Sequence, residues 1–260
     1  MSLIEGRLID LLFLVFTGVT TIYFMRAALK GKLPKIRTIE AIEHIPEAIG
    51  RAIEMDRPVH FYAGSGGGTL LREDAPQLLS GMNVLSHVAR LTARHGAKLI
   101  TSHTVPELVP MSTAIIRDSY MSEGKAEDIR TDMVRFTGGQ LSTAAAVMGM
   151  MDREKPAANI LIGSFWAESL IMLDSGAISG GIQIGGTATY HQIAFFVCAC
   201  DYFLIGEEVY AAGAYLSGDP ETLGSLQAQD ISRIIIIVMI IGLVLFSTLN
   251  SNWFINLLKL

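Results

Sequence analysis

Residues 234–246 read IIIIVMIIGLVLF, an unbroken apolar run, and it has a counterpart near the other end of the chain, where residues 11–25 carry no charge. These two runs constrain the fold more than any other feature. In hydrocarbon every backbone N–H and C=O must be satisfied within its own segment, so such runs fold as helices. Segments 8–25 and 231–249 are long enough to cross a bilayer with some tilt or snorkelling at their ends and read as transmembrane helices, the second as the end of a helix over 219–249. Asp219-Pro220-Glu221 is a helix-start signal with no proline after it, so the second span is expected to continue an exit helix without a break. A cleaved signal peptide is the rival reading of the first span. It fits poorly, because Glu5, Arg7 and Asp10 mix signs at the start and Tyr23-Phe24-Met25-Arg26 offers no small-residue cleavage site.

Charge divides the chain in the same places. Residues 38–230 hold 12 Lys+Arg against 23 Asp+Glu, whereas the flanks hold 8 against 2. Arg26, Lys30, Lys32, Lys35 and Arg37 follow the first span, while Arg233 opens the second and Lys259 comes after it, with Trp253 at interface depth. The positive-inside rule then places residues 28–230 in the cytoplasm, with both termini outside the cell membrane. The lipid bilayer is the expected partner. The acidic interior argues against nucleic acid.

Between the spans, residues 38–56 repeat Ile and Ala at helical spacing, with a bend expected at Pro46. Beyond them β-rich runs at 59–63, 97–102, 133–137, 159–163, 181–184 and 202–205 alternate with helical patterns at 74–95, 111–121, 140–153, 167–174, 190–200 and 207–216. That alternation predicts an α/β domain over 38–218, a mostly parallel, Rossmann-like sheet with helices on both faces. Asp74 before Ala75-Pro76 marks one helix start, and Thr104–Glu107 and Thr189–Gln192 have capping-box spacing. Two halves, 57–125 and 156–217, are expected, joined by a long connection.

Ligands of such sheets bind beyond the carboxyl ends of the strands, and the glycine-rich turns fall there. Gly64-Ser65-Gly66-Gly67-Gly68 follows the first strand and could bring backbone N–H groups to a phosphate. It matches neither GxGxxG nor the P-loop, and Glu73 and Asp74 lie close by, so a tight turn is the competing reading. Ser164 after Gly163, Gly185-Gly186, and Glu207 after Gly206 occupy the corresponding place after three other strands. Glu168 and Glu207 could pair for acid–base work, or simply sit in helix first turns that suit the macrodipole. His103, just past its strand, is a candidate catalytic base. Ser65 and Ser164 lack the GxSxG context of a nucleophile elbow, and no triad can be assembled. Cys198 and Cys200 have no second Cys/His pair at ligand spacing, so no metal site is expected, and no motif specifies a cofactor. Helix 193–200, IAFFVCAC, lacks a polar face. It suits either the centre of the core or a subunit contact, and Thr17 and Thr21 beside Gly18 would permit close helix approach in the membrane.

The pieces RPVHFYAGSGG (57–67), AANILIGSFWAE (157–168), DYFLIGEEVYAAGAYL (201–216) and SLQAQD (225–230) resemble an uncharacterised family of prokaryotic membrane proteins. The resemblance implies the architecture, a cytoplasmic domain between terminal spans, and no catalytic residues. With no complete catalytic constellation, the leading expectation is a non-enzymatic, homo-oligomeric scaffold or ligand-sensing protein. The alternative is a protein that binds, or an enzyme that acts on, a nucleotide-like small molecule through the glycine turns.

Overall fold

The computed structural model describes residues 8–32 and 38–248. Lys35, Arg37, Trp253 and Lys259, which entered the charge and interface reading above, lie outside the described residues. The chain divides into two compact units, one of Arg37–Ser217 and one of Met1–Ile36 with Gly218–Leu260.

In the second of these units α1 (Leu8–Leu29) packs along α10 (Pro220–Thr248). Asp219 Oδ2 accepts from Thr222 N at 2.9 Å and so caps α10, which runs unbroken over Pro220–Thr248. The helices meet at small residues. A Cβ at Gly224 would lie 2.7 Å from the Phe24 carbonyl oxygen, and Ala28 and Ala228 are buried. Gly18 has open space around it. The hydroxyls of Thr17, Thr20 and Thr21 bond back to carbonyls of their own helix, leaving none to be satisfied by surroundings. Both helices are long and apolar enough to cross a membrane.

The other unit opens with α2 (Glu40–Glu43) and α3 (Ile45–Glu54), separated just before Pro46, which sits in the first turn of α3 where its missing N–H costs nothing. Six strands follow: β1 (Val59–Gly64), β2 (Leu99–His103), β3 (Val134–Phe136), β4 (Ala158–Ser164), β5 (Ile182–Thr187) and β6 (Tyr202–Ile205). All pair in parallel, in the order β3-β2-β1-β4-β5-β6. This is the doubly wound arrangement, in which the order reverses between β1 and β4. The first half therefore runs to the end of β3, further than the expected 57–125, because β3 joins β2 and only α6 (Gln140–Glu154) crosses to the second half.

Helices α4 (Ala75–His95), α5 (Leu108–Ser122) and α9 (Glu208–Ser217), with α3, cover one face over Phe61, Ile160, Ile162 and Ile184. On the other face α6, α7 (Glu168–Ser179) and α8 (Tyr190–Ala199) cover Tyr62, Ile100 and Leu161. The central strands β1, β4 and β5 are buried at every position, as expected for parallel strands covered on both sides. Met150 and Met151 fill the second core, while Met148 is exposed.

Neither capping box forms. Thr104 spends its hydroxyl on Tyr62 and Thr143, and the N-cap of α5 is Glu107, so the helix begins three residues before its expected start. Thr189 is the N-cap of α8, but its hydroxyl caps nothing, and Gln192 accepts from Ser169 instead.

Candidate carboxyl-edge site

The reversal between β1 and β4 brings two backbones unusually close. Gly64 pairs with Ser164 across a register shift, and a Cβ on Gly64 would lie 1.8 Å from the Ser164 carbonyl oxygen. A Cβ on Gly163 would lie 1.9 Å from the Ala63 oxygen. Both positions have positive φ, +93° and +151°, so glycine is required twice over.

From this crossing the β1 turn folds over the sheet edge. Ser65 is right-handed, Gly66 to Gly68 have positive φ, and Gly68 N donates to Ser65 O at 2.7 Å. Adjacent backbone groups of opposite hand form concavities that favour anions. Glu168, the first residue of α7, is fully buried beneath the turn. Its Oε1 accepts from Ser65 Oγ at 2.6 Å and Trp166 N at 3.2 Å, and its Oε2 accepts from Gln140 Nε2 at 2.5 Å. One carboxylate thus ties together the turns after β1, β3 and β4. A buried polar group is tolerated only with such partners around it.

A second network fixes the floor. Tyr62 Oη and Thr104 Oγ1 lie 2.7 Å apart, Thr104 donates to Thr143 at 2.9 Å, and Thr143 and Thr137 are 2.6 Å apart. Burial raises the Tyr62 phenol far above its ordinary value, so it stays protonated. Thr69 donates to Glu107 at 2.9 Å, which joins the glycine turn to the start of α5.

Between these loops lies a cleft of about 530 Å³, bordered by Ser65, Gly67 and Gly68, by Thr104 and Pro106, by Phe136 and the segment Gly138-Gly139-Gln140, and by Trp166. Its one charged lining residue is Arg72, which makes no ion pair among the described residues. A second, more enclosed pocket of about 410 Å³ lies at the amino edge beside Lys98, Tyr120 and Arg130. It is away from the switch point, and its charges are largely committed: Lys98 to Asp56, Arg130 to Asp132, Arg135 to Glu154.

Of the residues singled out from sequence, Gly64, Ser65, Gly66, Gly67 and Ser164 come together at the switch point. Gly185 and Gly186 are placed differently. They lie inside β5, which runs to Thr187, and they are small to make room for Phe196 and Cys200 in one case and Leu204 in the other. Glu207 follows β6 at the sheet edge, two strands from β4, whereas the oxygens of Glu168 are held by Ser65, Trp166 and Gln140. His103 is fully buried at the end of β2, and neither ring nitrogen has a hydrogen-bond partner among the described residues. Burial and the neighbouring His60 push its pKa down to about 4, so the ring is neutral. Ser164 Oγ and Thr189 Oγ1 are likewise buried without partners. Three residues that line or brace the cleft, Arg72, Gln140 and Trp166, were not singled out. Gln140 opens α6 directly after Gly138-Gly139, which was the available signal.

No group of three or more His, Cys, Asp or Glu is arranged for a metal among the described residues. No curated protein and no solved structure matches the chain. A family model matches residues 2–258, nearly the full sequence, and by that match the chain belongs to the family described as domain of unknown function DUF6754.

Proposed function

We propose that the chain is a membrane-anchored binding module that takes a small phosphate-bearing, nucleotide-like molecule at the carboxyl edge of its sheet. The observation that carries this reading is the cleft over the β1–β4 switch point, where an unpaired Arg72 stands beside a glycine turn of positive φ. Doubly wound sheets bind ligands at that point, and a guanidinium offers a phosphate two parallel donors. The Glu168 carboxyl lies below the turn and accepts from three donors, and neither it nor Glu73 is among the residues that border the cleft. The two apolar helices serve as anchors, and Arg26, Lys30 and Lys32 support a cytoplasmic domain with both termini outside. No reaction is proposed; binding without turnover suits a sensor.

Self-assembly is a second reading, favoured by the outer surface of α7 and α8. Leu170, Ile171, Ile178, Tyr190, Phe195 and Val197 are exposed there. Exposed apolar surface on that scale favours an interface, and a homo-oligomer would cover it.

Calorimetry of the full-length protein in detergent micelles with AMP tests the binding reading. AMP is expected to bind, and Arg72→Glu to weaken it by about tenfold or more, the usual loss of a charge-assisted contact. Absence of binding, or equal affinity in Arg72→Glu, would contradict the proposal.

A further inference from the structure

Two aromatic side chains border the carboxyl-edge cleft, and both are left open to solvent. Phe136, the last residue of β3, is 54% exposed, and Trp166, just past β4, is 41% exposed. The Trp166 ring makes a T-shaped contact with His191, with centroids 6.3 Å apart. The Gln140 side chain is fixed between the two loops by its bond to Glu168. Flat apolar faces beside a rigid amide suit a planar heteroaromatic ring, which stacks on the faces and is oriented by the amide.

The same cleft lacks the group that usually reads a ribose. In dinucleotide-binding sheets an acidic residue at the end of the second strand bonds the ribose hydroxyls. Here Thr104 follows β2, with its hydroxyl committed to Tyr62 and Thr143. The first carboxylate beyond it, Glu107, is engaged by Thr69.

From these placements we infer that the cleft selects a nucleotide by its base, stacked on Phe136 and Trp166, and does not discriminate the 2′-hydroxyl. The inference rests on the phosphate-binding reading above and adds to it which part of the ligand is recognised. Ribose and deoxyribose forms are equivalent, and a sugar phosphate without a base is a poor ligand.

Equilibrium dialysis of the full-length protein in micelles against AMP, dAMP and ribose 5-phosphate tests this. AMP and dAMP are expected to bind within about twofold of each other, and ribose 5-phosphate about tenfold or more weaker, the scale of one lost stacking contact. Phe136→Ala should weaken AMP by a similar factor and leave ribose 5-phosphate unchanged. Phe136 is exposed at the strand end, so its removal does not open the core, and Phe136→Tyr should restore AMP affinity. Ribose 5-phosphate binding as tightly as AMP would overturn base recognition and leave the phosphate reading standing. A dAMP affinity tenfold below that of AMP would overturn indifference to the 2′-hydroxyl. Failure of all three ligands to bind would overturn both readings.

Discussion

Gly163 and Gly64 show how a single missing carbon positions a site. Each lies against the other strand's backbone where no side chain can yield, and each has positive φ. Gly163→Ala should therefore destabilise the domain by about 1–3 kcal/mol through overpacking, with backbone strain in addition. Gly68→Ala, whose Cβ would meet open space, should cost only the left-handed penalty of about 1–2 kcal/mol. Thermal unfolding in micelles orders the two, and a melting temperature for Gly163→Ala at or above that of Gly68→Ala would count against the close crossing. Buried histidines add a pH dependence. His60 lies in a polar row across four strands, its Nδ1 2.7 Å from Asn159 Oδ1 and its Nε2 3.1 Å from Ser102 Oγ, while Asn159 Nδ2 donates to Gln183 Oε1 at 3.2 Å. Gly176 on α7 leaves the space for that row. Burial lowers the pKa of His60 to about 4, as it does that of His103. In the unfolded chain these rings take up protons near pH 6.5, and the folded chain resists until about pH 4. Stability from this source is therefore complete above pH 6.5 and is lost as pH falls toward 4. His103→Leu should flatten the fall in melting temperature over that window, and an unchanged slope would remove His103 from the account.

Among the elements, legibility followed burial. The central strands declared themselves because parallel strands covered on both faces leave continuous apolar runs such as VHFYA and NILIG. The glycine turn after β1 was readable because several glycines in succession suit few structures other than a turn. Gly185 and Gly186 misled for the converse reason. Glycine ends a strand in sequence patterns, yet here it lets Phe196 and Leu204 approach a strand that continues to Thr187. The Thr104 capping pattern failed because a tertiary partner, the Tyr62 phenol, took the hydroxyl. Glu168 read as an ordinary helix-first-turn acid. Its role as the tie between three loops depends on Ser65 and Gln140, which the fold, not local sequence, brings to it. The run IAFFVCAC read as apolar all round, but α8 starts earlier, at Tyr190, and its first turn carries His191 and Gln192. Gln192 and Phe196 face inward, and Phe195, Val197 and Cys198 face outward.

At the scale of the whole molecule, Cys198 provides a native reporter of topology and assembly. It is exposed on α8, whereas burial pushes the Cys200 thiol up to about 12 and keeps it unreactive. A membrane-impermeant maleimide should leave intact cells unlabelled and modify Cys198 after permeabilisation. Labelling of intact cells would reverse the proposed orientation, and protection of Cys198 even after permeabilisation would indicate that the α8 surface is covered. The central claim, that the carboxyl edge is where the molecule binds, is tested most directly by hydrogen-exchange mass spectrometry of the full-length protein in micelles, with and without AMP. The account predicts slowed exchange in residues 65–72, 104–107, 136–140 and 166–168, the loops that border the cleft. Slowed exchange around Lys98, Tyr120 and Arg130 at the amino edge instead, or no change anywhere, would contradict it.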